Sequence, residues 1–560
     1  DVLTVLDELQ GIKTVKAVKK ALAAKVGISR FRQRFFVEDG SQEIQDDEIL
    51  DPAPLKIQLV VLDFCPPDEE ETQMMISATQ VNDIVAVERL LQKPIDPNVV
   101  NKDGKTPLFQ AAEQGHLQLM ELLLEAGAQT DRPELAHGQT PMIAAASNNH
   151  LTTVRFLAEH GADKDQATTT GATALLLAAH KGHLDIVQFL VEVGAAKDKA
   201  NIDDVSPLLL AAHNGHLNIV RFLVEVGADK DQPDCNGATP LLFAAKNDHL
   251  DIVQFLVQVG AAKDQAARDG ATPLWYAAQN GNLDIVRFLV DVGADKDQAE
   301  NYGATSLSIA AQNGHLDMVR FLVKVGAAKE QPDRNGRTPL WYAAGKGHLD
   351  IVRFLVEAGA AKDQTDRNGA TPLLHAAEKN HIDIVQFLIE VGAAKDQADS
   401  NGATPLLVAV QNGHLDIVRL LVKGGAAKDQ AENYGATPLS IAAQKGKLDM
   451  VRFLVEVGAD KDKPTNNGAT PLLYAAHKGH LNIVQFLVEV GADKDQAENR
   501  GATPLLLAAQ NGHLDVVQLL VEAGAAKDQA AKNGATPLAI AAQNCHIDIV
   551  RFLVDAGASE

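Results

Sequence analysis

The sequence predicts a mostly α solenoid of short helix pairs joined by hairpin loops, preceded by a small α+β domain. Three observations carry that expectation. A Thr-Pro-Leu tripeptide at Thr106 returns with small variations at Thr140, Thr173, Ser206 and Thr239, then every 33 residues as far as Thr536, with a single step of 34. Only 4% of the 560 residues are aromatic while 46% are hydrophobic, so the core consists of small and aliphatic side chains, which suits thin stacked layers better than one large globule. Residues 1–64 do not share the period.

The unit that opens at Gly171 shows how each element arises. Thr173 supplies an N-cap oxygen, and the residue after it, proline in most copies, has its φ already set and no donor to lose, so helix one starts there. The pair Ala178-Ala179 keeps that helix slim, and Gly182 ends it. His183-Leu184 opens helix two, where Leu184, Ile186, Val187, Phe189, Leu190 and Val191 cover most of the circumference, as expected of a helix packed between two neighbours. Gly194 supplies the stop. Helices of about ten residues fall below the roughly 12 to 15 needed for stability in isolation, so stacking must hold them.

Thr-Pro-Leu, Ala-Ala, Gly-His-Leu and Gly-Ala-Asp at these offsets resemble the ankyrin repeat. The resemblance covers residues 106–560 as fourteen repeats. It extends to 73–105 as a degenerate capping repeat, in which Met74 to Gln92 holds two helical stretches and Asp83 falls at the second N-cap. It implies a non-enzymatic scaffold or adaptor whose hairpin tips and helix-one ends line a concave groove for protein partners. Two departures stand out. The residue after Thr-Pro-Leu is Leu, Trp, Ser, Phe, Ile or Ala where the family has His. The family's Asp-Val-Asn becomes Lys-Asp-Gln, so most repeats lack the usual acceptor for asparagine hydroxylation.

Residues 1–64 run from an apolar alternation at Leu3–Leu9 through a helical stretch at Val15–Val26 to Phe31–Val37, Gly40, Asp46-Asp47 and an alternating strand at Leu55–Phe64. In that order they resemble a ubiquitin-like β-grasp domain lacking its first strand. Phe36 and Val60 match that family's hydrophobic recognition patch, which leaves two roles open: docking to another protein, or capping the stack. No Gly-Gly follows Phe64, so conjugation is not expected. Residues 65–72 are expected to form an acidic linker.

A net charge of −23 argues against sequence-independent binding to DNA or an anionic membrane, and no apolar run approaches the roughly 18 to 20 residues of a spanning helix. Three scattered cysteines point to a reducing compartment, cytoplasmic or nuclear. Asp1 is not an initiator Met, which leaves targeting open. Twelve of the 18 histidines occupy the Gly-His-Leu column, one per layer, where the resemblance implies that they brace the loop. The pairs His180/His183, His213/His216 and His477/His480 have no third ligand to complete a metal site. No catalytic residue, metal or cofactor is expected.

Groove positions carry fourteen basic residues against five acidic ones, although seven carboxylates just upstream (Asp234, Glu300, Asp333, Asp366, Asp399, Glu432 and Glu498) nearly cancel the excess. The basic residues concentrate at Arg268, Arg334, Arg337, Lys346, Arg367 and Lys379, with Trp275, Tyr302 and Trp341 nearby. Arginine and aromatic residues together make binding hot spots, so this stretch is expected to take an acidic or phosphorylated protein segment. Trp275 and Trp341 also fit packing between layers. A different reading is a structural spacer, since the repeats are nearly interchangeable and Asn301-Tyr-Gly-Ala-Thr returns at Asn433. At the C-terminal end Ile547, Ile549, Val550, Phe552 and Leu553 remain of interior type, so continuation of the chain, or contact with another subunit at that end, is expected.

Overall fold

The computed structural model describes residues 14–37, 42–49, 57–65 and 68–559; the alternation at Leu3–Leu9, Gly40 and Leu55 lie outside them. The chain divides into two compact units, Asp1–Pro273 and Leu274–Glu560.

The first unit opens with the α+β region. The Thr14 hydroxyl accepts from the Ala17 amide to start α1 (Val15–Val26), and Gly27 closes it in the left-handed conformation. A 3-10 turn at Arg30–Arg32 leads into β1 (Gln33–Val37), which lies between β2 (Glu43–Ile44) and β3 (Ile57–Val61) in an antiparallel sheet. The register pairs Arg34 with Val60 and Phe36 with Gln58. These four therefore share one face, while Phe35 is buried on the other and the Gln33 amide there donates to the Lys19 carbonyl of α1. Phe36 and Val60 are both half-buried.

The end of the expected linker is instead helical. Residues 69–72 form the first turn of α2 (Glu69–Gln80), because Asp68 accepts from the Glu71 amide and Glu69, Glu70 and Glu71 sit at the positive end of the helix dipole. Asp83 caps α3 (Ile84–Leu91), accepting from the Ala86 amide. This is the first of six helix pairs in the unit; α4 (Pro107–Gln114) with α5 (Leu117–Glu125) is the second, and Pro240–Lys246 with Leu250–Gln258 the last.

The α+β region docks against α3 and α5 through Arg30, which is 2% exposed. Its guanidinium reaches Asp46 of its own region at 3.3 Å, Glu88 of α3 at 3.0 Å and Glu125 of α5 at 2.9 Å. Lys16 joins Glu88 at 2.6 Å, Lys20 joins Glu125, and the Ser29 hydroxyl donates to the Glu125 carbonyl at 2.8 Å. Burial works to raise the Glu88 carboxyl, but hydrogen bonds from Lys16 and Arg30 outweigh it and hold the group below the ordinary carboxylate range. Met74, Val81 and Val85 of the first pair stay exposed. The contact is thus made sideways, across two successive second helices.

The second unit holds nine helix pairs, from Pro273–Asn280 with Leu283–Asp291 to Pro537–Gln543 with Ile547–Asp555. Pro339–Lys346 with Leu349–Glu357 is representative. The Thr338 hydroxyl accepts from the Trp341 amide at 3.2 Å, Gly347 ends the first helix at φ 85°, and Leu340, Ala343, Ala344, Ile351, Val352 and Leu355 are buried. A side chain at Gly347 would place its Cβ 2.7 Å from the His381 ring of the next repeat. At the last pair Ile549 and Leu553 are buried, Val550 and Phe552 are half-buried and Ile547 is exposed.

Three recurring bonds tie successive layers inside each unit. Hairpin tips form a backbone ladder, as in Arg334 N–H to the Tyr302 carbonyl and Arg367 N–H to the Asn335 carbonyl, each 2.7 Å. The histidine column reaches back to helix one of the preceding layer, as in His348 Nε2 to the Gln312 carbonyl at 3.0 Å. The aspartate of Lys-Asp-Gln reaches forward, Asp363 accepting from the Ala394 amide at 2.7 Å and Asp165 from the Ala196 amide at 2.8 Å. On the second helices arginine stacks over the phenylalanine of the following layer, Arg353 over Phe387 at 4.7 Å and Arg155 over Phe189 at 4.5 Å.

Candidate functional site

The hairpin tips present two residues per repeat, and the chemistry of the turn decides which charges face outward. In each of seven turns a carboxylate folds back onto backbone amides: Asp333 accepts from Asn335 and Arg337, Asp366 from Asn368 and Ala370, and Asp399 from Asn401 and Ala403. Asp234, Glu300, Glu432 and Glu498 accept amides in the same way. Asp234, Asp333 and Asp366 are buried as a result. The seven carboxylates that balance the basic residues by count thus serve the turns, and the tip arginines stand out in solvent.

Arg268 is an exposed tip residue of the first unit. The other sequence-selected positions belong to the second. Tyr302 is 73% exposed on its tip, and Arg334, Lys346, Arg367 and Lys379 are exposed as well. Lys379 pairs with Glu378 at 3.0 Å, whereas Arg334, Lys346 and Arg367 have no carboxylate at ion-pair distance among the described residues. Trp275 is half-buried and donates its indole N–H to the Ala304 carbonyl at 3.1 Å.

Trp341 is buried, in keeping with packing between layers. Its ring stacks on His375 with centroids 3.8 Å apart and planes at 14°, meets Tyr342 edge-on, and lies 4.9 Å from the half-buried Arg337 guanidinium. The Tyr342 hydroxyl donates to Asp333 at 2.6 Å; burial first, and the adjoining carboxylate second, push it up to about 12. Burial holds the His375 imidazole below its ordinary value. Arg337, Trp341, His375 and Lys379 line a stretch of groove of about 970 Å³.

Two participants were missed in the sequence. His375 falls outside the histidine column, and nothing in its position signals that it stacks on a tryptophan one repeat earlier. Tyr434, 79% exposed on its tip, was within reach, since it sits in the second copy of the Asn-Tyr-Gly-Ala-Thr block.

The His-x-x-His pairs are engaged separately. His183 Nε2 bonds the Ser147 carbonyl, while His180 Nδ1 accepts from the Asn214 amide and its carbonyl takes His216. Among the described residues no group of three or more His, Cys, Asp or Glu is placed to hold a metal ion, and no helix is long and apolar enough to cross a membrane.

A family model described as ankyrin repeats (3 copies) matches seven consecutive stretches that together run over residues 74–560. Over 47 residues the chain is 45% identical to the putative ankyrin repeat protein FPV222 of fowlpox virus and 47% identical to the ankyrin repeat and SAM domain-containing protein 6 of Mus musculus. Each match takes in 8% of this chain and only 6% and 5% of those relatives. With helix pairs, capped turns and inter-repeat bonds recurring through the stretch the model covers, the chain belongs to the ankyrin-repeat family.

Proposed function

We propose that this ankyrin-repeat protein is a non-enzymatic interaction scaffold whose second unit binds an acidic or phosphorylated protein segment along its hairpin tips, around residues 302–379. The observation that carries the reading is the sorting of charge at the turns: carboxylates fold onto backbone amides while Arg334 and Arg367 remain exposed and unpaired. A partner rich in carboxylate or phosphate meets those guanidinium groups without competition from the turn acids. Tyr302, exposed beside Arg334, adds an aromatic contact. A reducing, intracellular setting suits the free thiols of Cys65, Cys235 and Cys545. The Phe36–Val60 face of the α+β region is a second docking candidate, on its resemblance to the ubiquitin-like patch.

The test is fluorescence anisotropy of a fluorescein-labelled deca-glutamate peptide with the intact chain and with an R334E/R337E double variant. Affinity is expected to fall at least about tenfold in the variant and to fall with added salt in the wild type. Equal affinity for both proteins would refute the acidic-segment reading. A structural spacer is the second reading, favoured by the unbroken tip ladder at residues 400–532; it predicts weak binding spread evenly over many repeats.

A further inference from the structure

Trp275 and Trp341 occupy the same place in their repeats, three residues after Thr272 and Thr338, and both meet the following tyrosine edge-on, at 5.3 and 5.6 Å. Their indole N–H groups differ. Trp275 donates to the Ala304 carbonyl. The corresponding carbonyl for Trp341 is that of Ala370, yet the Trp341 N–H has no partner, although the residue is only 8% exposed. The Arg337 Nε–H is buried without a partner too, on a side chain that stands where most copies carry alanine, such as Ala304 and Ala370. A buried donor left unpaired costs about 1 to 3 kcal/mol, so two of them in one cluster are unusual in a folded protein.

Trp341 also stacks with His375 and lies 4.9 Å from the Arg337 guanidinium. The imidazole lies flat on the indole, held by Glu378 Oε2 at 3.3 Å from Nδ1. Burial holds that imidazole below its ordinary value, which disfavours a second cation beside Arg337.

We propose that this stack is a gated carboxylate site: His375 swings off the indole, and a side-chain carboxylate of an acidic peptide accepts hydrogen bonds from Trp341 Nε1–H and Arg337 Nε–H. The inference rests on the acidic-segment reading and names the donors that recognise the carboxylate. Two N–H groups match the two oxygens of a carboxylate, and the exposed cations Arg334, Arg367 and Lys379 lie on the same hairpins and helix ends.

The test compares W341F and H375A with the wild type and with R334E/R337E, using the intact chain and labelled deca-glutamate. W341F keeps a stacking ring and removes only the indole with its orphan donor. It is expected to melt no lower than the wild type, yet to bind about tenfold more weakly and to lose any binding-induced change in tryptophan emission. H375A removes the cover and is expected to bind more tightly. If deca-glutamate binds, and R334E/R337E weakens it, while W341F and H375A both bind as the wild type does, the groove reading stands and the gated site is wrong. If R334E/R337E binds as the wild type does, or nothing binds, both fall. Should W341F fail to fold, H375A decides alone, and unchanged or weaker binding overturns the site.

Discussion

His348 shows how one residue earns its place in every layer. Its Nε2 bonds the Gln312 carbonyl at the end of the preceding first helix, satisfying an acceptor that helix geometry leaves unpaired. H348A is therefore expected to lower stability by about 1 kcal/mol, read as a shift in the urea midpoint without a change in slope. An unchanged midpoint would mean that water replaces the bond at no cost. Lys447 stands at the same position in another repeat, so the histidine is not required in every layer. The histidine column was legible because it recurs; the carbonyl it bonds, 36 residues earlier, was not, since periodicity reveals a position but not its partner. Asp363 and its equivalents teach the same thing, because Lys-Asp-Gln looked like a loss of the family's hairpin motif and proves to supply the carboxylate that bonds the next repeat.

Among the elements, the α+β region and its contact with α3 and α5 depend on Arg30. Partners at 24%, 27% and 31% exposure leave the guanidinium buried and the carboxylates partly solvated, so desolvation falls mostly on the arginine. R30E places a fourth carboxylate among Asp46, Glu88 and Glu125 and is expected to undock the region while its own core of Leu22, Phe31 and Phe35 stays folded. Hydrogen exchange would then rise in α3 and α5, with no change in the second unit. Unaltered exchange in those helices would show that apolar packing alone holds the contact. The pH dependence follows from Glu88. Its folded value is lowered, so its contribution is fully present above the unfolded carboxylate value of about 4.3 and is lost as pH falls through the lowered folded value. The helix and the last strand were readable from the alternation of apolar residues; the lateral docking was not, because Lys16, Lys20 and Arg30 look like ordinary surface charges until their carboxylates, 58 to 105 residues away, are brought beside them.

At the scale of the whole molecule, layers contact mainly their neighbours, so damage should remain local. Gly347 offers a sharp test, since its φ of 85° and the 2.7 Å approach of the His381 ring both exclude a side chain. G347V is expected to abolish amide protection in the helices at 339–357 and 372–390 while protection in the first unit stays as in the wild type, measured by hydrogen exchange with mass spectrometry. Loss of protection throughout the chain would indicate one cooperative block.

The sequence by itself determined the repeat, its period, the caps at each Thr-Pro and the apolar faces, because those follow from local backbone chemistry and from a pattern stated fourteen times over. It also located the cluster of basic and aromatic residues in the middle of the array. Only the tertiary structure decided which charges face outward, that Trp341 lies buried against His375 with its donor unpaired, and that Arg30 fastens the α+β region to the second helices. Those outcomes depend on contacts between residues tens of positions apart, where the orientation of each side chain is settled by what the neighbouring layer places against it.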